Sequence, residues 1–188
     1  MSKSIKWSFL ERSMIGQQTD ISNSDIIIDK CVSLAYKDML TAGRYYHLPD
    51  EIKENFTTIL KDNIINANFY PKTIIGATLE LFGKNEKIGI GNKYVTRYGL
   101  CQKLVNMTFK YLYVFSDYTG LNLNFSECDC PLDSVILKSI EKENIVWSKL
   151  TAEQYDTCQQ KIKNKLAKIS LNSELSVLGN LAYDFLNW

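Results

Sequence analysis

Apolar residues recur at intervals of three and four along most of this chain, the spacing of one face of an α-helix. Ile27, Cys31, Leu34, Ala35 and Met39 share a face over 26–42, with Ser24 and Asp25 as a capped start and Gly43 as a stop. Leu48-Pro49-Asp50-Glu51 is a second start signal, because proline and acidic side chains suit the first turn, and it leads through Ile52, Phe56, Ile59, Leu60 and Ile64. After a break over 66–71, a short apolar helix is predicted at 72–82, closed by Gly83. The longest periodic run is Leu104, Met107, Thr108, Tyr111, Leu112 and Phe115, set between Gly99 and Gly120.

Further along, Cys130-Pro131-Leu132-Asp133-Ser134 reads as the opening of a helix that runs to Ile145, with proline in its first turn and Asp133 or Ser134 as cap. Val146 to Leu150 is a connector carrying Trp147. Thr151-Ala152-Glu153 then starts an amphipathic helix over 155–169 whose Lys161, Lys163, Lys165 and Lys168 form a solvated face. Ser173 and Glu174 open a last helix through Leu175, Leu178, Leu181, Phe185 and Trp188. The expected fold is mainly α, a single compact multi-helix domain over 1–188 with an irregular 1–23 segment tethered by Trp7, Phe9 and Leu10. Alternating Ile, Tyr and Val between glycines leave room for one short β-hairpin near 88–95, or for a glycine-rich loop.

With 188 residues, 45% of them hydrophobic, the chain can bury a sizeable core without staples. Basic and acidic residues number 22 and 21, so no global field draws the protein to nucleic acid or to a membrane, and any such attraction has to be local. No membrane-length apolar run and no secretory leader are visible, which places the protein in the cytoplasm. The five cysteines are an odd number and fit reduced, buried thiols better than a disulfide framework. Cys128 and Cys130 form a C-x-C, but without a second pair, and with His47 the only histidine, no metal and no cofactor is expected.

One local charge excess does stand out. Within 84–110 lie Lys84, Lys87, Lys93, Arg97, Lys103 and Lys110 against the single acid Glu86, with Tyr94 and Tyr98 interleaved. Such a segment can hold a phosphate backbone, and the competing reading is a solvated loop. Lys84, Lys87, Lys93, Arg97, Tyr94 and Tyr98 are the candidate nucleic-acid contacts, and DNA is the candidate partner.

The candidate chemistry is an amine and a carboxylate, Lys103 at the mouth of the central helix and Asp133 at the start of the next. A lysine is a nucleophile only as the neutral amine, which partial burial and neighbouring cations such as Arg97 or Lys110 favour. Roughly 18 Å of helix separates Lys103 from Phe115. The loop that follows can span roughly 45 Å, so the chain can return Asp133 to the lysine.

The order Gly99, Gln102-Lys103, Asn106-Met107-Thr108-Phe109-Lys110-Tyr111 and then Pro131-Leu132-Asp133-Ser134 resembles the catalytic segment of helix-hairpin-helix DNA glycosylase/lyases, in particular the archaeal 8-oxoguanine DNA glycosylase branch. The likeness implies that Lys103 attacks the sugar carbon of a damaged nucleotide and forms a Schiff base. It also implies that Asp133 stabilises the oxocarbenium-like charge and that the base is flipped out of the duplex. The family's leucine-proline-glycine-valine-glycine hairpin has no counterpart before Lys103 beyond Gly89-Ile90-Gly91. The same residues, with Trp147-Ser148-Lys149-Leu150, also resemble a group of bacterial proteins of unassigned function.

Each candidate has a plainer role beside its chemical one. Lys103 can be a snorkelling lysine, Asp133 a helix cap, Asn106 a buried hydrogen-bonding residue and Trp147 a core aromatic, whereas an exposed Trp147 near Lys103 would stack a base. Three readings result: a DNA-repair glycosylase or abasic-site lyase, a non-catalytic all-α interaction or nucleic-acid-associated bacterial protein, and a thiol- or metal-dependent protein acting through Cys128 and Cys130.

Overall fold

The computed structural model describes residues 23–42, 50–65, 70–84, 97–119 and 123–187, with Met14 and Gly16 besides. Among them are eight α-helices and no strand: α1 (Ser24–Ala42), α2 (Asp50–Ile65), α3 (Pro71–Lys84), α4 (Arg97–Val114), α5 (Ser116–Thr119), α6 (Ser134–Ser139), α7 (Ala152–Leu166) and α8 (Leu181–Leu186). Short 3-10 turns lie at Phe125–Glu127, Trp147–Lys149 and Leu175–Val177. The fold is all-α, as the periodicity predicts. The expected hairpin near 88–95 and the tether of Trp7, Phe9 and Leu10 lie outside the described residues.

The helix at the centre is α4. Helices α1 and α3 pack along it, α2 bridges those two, and the Trp147–Lys149 turn closes on its first turns. Every residue from Gly99 to Leu112 is buried, so α4 is enclosed on all sides. The largest fully buried side chains of this core are Phe109 of α4 itself with Phe56, Phe82, Phe115 and Tyr155, each contributing roughly 1.5–3 kcal/mol by leaving water. No helix among the described residues is long and apolar enough to cross a membrane.

Several boundaries differ from the expected ones, each for a local reason. Helix α4 begins at Arg97, so Gly99 lies inside its first turn and Lys103 in its second. Glycine is required there by contact: a Cβ on Gly99 would stand 2.4 Å from the Trp147 carbonyl oxygen. Helix α3 starts on Pro71 and continues through Gly83 to Lys84. Cys130, Pro131 and Leu132 are not helical, and α6 starts one residue after Asp133, its N-cap. It is short because Ile140 caps it and Glu141 turns to φ 56°, letting the Lys142 and Glu141 N–H groups donate back to Leu137 and Lys138 carbonyls. Helix α7 opens on the capping box of Thr151 and Gln154. Its lysine face is only partly solvated, since Lys165 donates to the Ser139 carbonyl at 2.8 Å and Lys161 lies 3.4 Å from Glu141.

The expected last helix is broken in two. Gly179 adopts φ 54°, and a Cβ there would meet the Ser126 carbonyl oxygen at 2.1 Å. The break seats Leu181 so that its N–H donates to Cys128 at 3.2 Å. Gly179→Ala and Gly99→Ala are each expected to lower stability, by about 1–3 kcal/mol for the crowding alone. The measurement is the urea midpoint of each variant, and Gly179→Ala should fall further because positive φ adds strain to the clash.

Candidate active site

Enclosing α4 sets a strict condition on its polar side chains, because a buried polar group without a partner costs about 1–3 kcal/mol. Gln102, Lys103, Asn106, Thr108 and Lys110 are all buried. Thr108 turns back onto the Leu104 carbonyl at 2.8 Å. The other four point to groups brought in from far along the chain.

Lys103 Nζ lies 2.9 Å from Asp133 Oδ2, across thirty residues of sequence. The lysine side chain is 6% exposed and the aspartate side chain 28%. Asp133 also serves as the cap: its Oδ1 accepts the Val135 and Ile136 N–H groups at 3.0 Å each. One oxygen therefore holds the helix and the other holds the amine. Burial alone would raise this carboxyl, but Lys103 and the two capping N–H groups more than offset it and keep it below the ordinary carboxylate range.

A second pair stands about two turns along α4. Lys110 Nζ is 2.6 Å from Asp184 Oδ2, with side chains 7% and 2% exposed. Here burial dominates: it pushes the Asp184 carboxyl up and the Lys110 amine down, despite their mutual attraction. Asp133 and Asp184 both line a hollow of about 180 Å³, with Val135, Ile136 and Asn187. The Cys130 thiol is buried among the same four charges and is pushed well up by burial.

The segment that delivers Asp133 is held residue by residue. Tyr155 donates its hydroxyl to Asp129 Oδ2 at 2.8 Å. Gln159 bonds both backbone groups of Cys130, donating to its carbonyl at 2.7 Å and accepting its N–H at 3.2 Å. Gln102 does the same for Leu132, at 2.9 and 3.1 Å. Pro131, between them, has no N–H to satisfy.

Lys103 and Asp133 are thus brought together, though the lysine is in the second turn of α4, beyond the reach of the helix dipole's first-turn effect. Asn106 is a buried hydrogen-bonding residue, donating to the Tyr155 hydroxyl at 2.9 Å. Trp147 is 9% exposed and packed in the core, the plainer of its two expected roles, and not the exposed position that stacking a base would need. Tyr98 is half-buried with its ring edge-on to Tyr155, centroids 5.4 Å apart, and Lys110 of the basic run is turned inward. Lys87, Lys93 and Tyr94 lie outside the described residues, as do the side chains of Lys84 and Arg97.

Cys128 and Cys130 are buried free thiols, both pushed up by burial, and no cluster among the described residues could hold a metal ion. The roles of Gln102, Gln159, Tyr155 and Asp184 were not read from the sequence. The available signal was polar residues at core positions of strongly apolar helices. Compared with protein-family models, curated proteins and solved structures, the chain matches none.

Two predictions follow from the contrast between the pairs. Asp184→Leu alone leaves a buried ammonium and should cost about 3–5 kcal/mol, whereas adding Lys110→Met should recover most of that loss, read from urea midpoints. For Asp133, a carboxyl held low in the folded state adds stability above its unfolded pKa and loses it as pH falls through the folded value. The gap in stability between the wild type and Asp133→Asn, which keeps a capping oxygen, should therefore be widest near neutrality and narrow on acidification.

Proposed function

We propose that the chain is a DNA-repair glycosylase/lyase in which Lys103 is the nucleophile and Asp133 the stabilising carboxylate. The observation that carries the reading is the 2.9 Å approach of an amine and a carboxylate thirty residues apart, the carboxylate forming part of the wall of a hollow. Asp184 and Asn187 on the same wall are polar groups suited to hydrogen-bond the edge of a nucleobase turned out of its stack. DNA as partner is supported by the sequence cluster Lys84, Lys87, Lys93 and Arg97 alone, since Lys103 and Lys110 of the same run are turned inward onto carboxylates.

In this chemistry the Lys103 ammonium, parted from Asp133, first gives one proton to water; the neutral Nζ then bonds to the sugar C1′ while the bond from C1′ to the base breaks, its electron pair leaving on the base. The proton released from Nζ on bonding neutralises the departing base; the C1′–O4′ bond then breaks with its pair on O4′, which takes the remaining Nζ proton as the nitrogen lone pair closes the C1′=Nζ imine. Asp133 is suited to stabilise the cationic sugar and poorly suited to take the proton, because its carboxyl is held low. As it stands the pair is closed, so the substrate has to part it before attack.

The low exposure of Lys103 favours a second reading, a structural pair in a non-catalytic all-α protein. Borohydride trapping on duplexes containing 8-oxoguanine or an abasic site separates the two. Catalysis predicts a covalent adduct with the wild type, none with Lys103→Gln, and a rate about 10²–10³-fold lower with Asp133→Asn. A wild-type yield no higher than that of Lys103→Gln, with the variants merely melting at lower temperature, would establish the structural reading instead.

A further inference from the structure

The approach of Asp133 to Lys103 needs an explanation of its own, because the backbone that carries Asp133 is not part of a helix until Ser134. Two glutamines supply it, built alike. The Gln102 amide donates to the Leu132 carbonyl at 2.9 Å, and its oxygen accepts the Leu132 N–H at 3.1 Å. That oxygen also faces an N–H of Asn106 at 3.4 Å. Turning the amide over would set donor against donor twice, so only one orientation is tolerated. Gln159 repeats the arrangement on Cys130, with Asn180 donating to its oxygen at 3.1 Å.

The two differ in what lies next to them. Gln102 and Lys103 are consecutive in α4, and their partners Leu132 and Asp133 are consecutive in the segment. The glutamine therefore fixes the backbone one residue from the carboxylate that the lysine meets. Gln159 holds Cys130 from α7, further from the pair.

We infer that Gln102 is the positioning residue of this site, its two-way bond to the Leu132 backbone setting where Asp133 stands against the Lys103 amine. Its effect on rate rests on the proposed chemistry of Lys103; its effect on the position of Asp133 does not. Besides Lys103, the titratable groups that act on Asp133 are Asp184 on α8, itself paired with Lys110 of α4, and the Cys130 thiol, and Gln102→Met alters none of them.

The test compares Gln102→Met with Gln159→Met, which loses the same pair of bonds from an equally buried amide and so controls for stability. Carbon-13 NMR titration of the Asp133 carboxyl, assigned with Asp133→Asn, is the readout free of substrate. Gln102→Met should move the Asp133 midpoint up toward the ordinary carboxylate value and slow adduct formation on abasic DNA about 10- to 100-fold, with the half-saturating DNA concentration unchanged. Gln159→Met should lower the melting temperature comparably and leave both readouts within about twofold. If Gln102→Met does not fold, Gln102→Asn, which stays uncharged and draws the amide back by one carbon from the Leu132 backbone, should give a shift in the same direction. An Asp133 midpoint that stays put in the Gln102 variants, or moves equally in Gln159→Met, overturns the inference. Absence of adduct with the wild type overturns the proposed chemistry instead, and the titration alone then decides the positioning.

Discussion

The enclosure of α4 is the constraint on which the rest depends. A helix buried from Gly99 to Leu112 excludes water from its whole middle, yet it carries two lysines, a glutamine and an asparagine. Each must find its hydrogen bonds inside the protein or destabilise it. The 129–133 segment meets most of that demand. Asp133 answers Lys103, Leu132 answers Gln102, and Asp129 is reached through Tyr155 and Asn106. The contacts that make the core tolerable are therefore also the contacts that assemble the candidate site, so a change in one is felt in the other.

Helical periodicity made the main elements legible. The face of Ile27, Cys31 and Met39 and the stripe from Leu104 to Phe115 are buried as their spacing requires. The ends were less legible, because they are set by contacts that no local pattern carries. Gly99 reads as a stop, but its role is to admit the Trp147 carbonyl within a turn of α4. Pro131 reads as a first-turn residue, yet it fills the one place in a pinned segment where no N–H is wanted. Gly179 lies within an unbroken apolar spacing, and its left-handed backbone splits the helix which that spacing implies.

For the site, chemistry was legible where a residue type was out of place. A lysine and an asparagine in an apolar helix announce partners, and an aspartate before Ser134 announces a cap. Who the partners are was open, because a bond such as Gln102 to Leu132 spans thirty residues and leaves no trace in either neighbourhood. Aromatics carry the same ambiguity. Tyr98 and Trp147 suit nucleic acid in composition, but this core uses them for packing, Tyr98 against Tyr155 and Trp147 beneath the start of α4.

The two lysine-aspartate pairs are chemically unequal, and that inequality bears on how a single hollow could serve a reaction. Asp133 keeps partial contact with water, a lysine and two N–H groups, and all but the burial favour its anion. Asp184 has Lys110 in contact, a weaker pull from Lys103 and almost no water, and burial pushes its carboxyl up. Neighbouring carboxyl groups driven apart in this way take different parts in a mechanism. The one held low is suited to face a positive charge. The one pushed up by burial is held against Lys110, away from water. Lys110, 2.6 Å away, is the cation that offsets the charge of that second group, and burial of both acts against the charged pair.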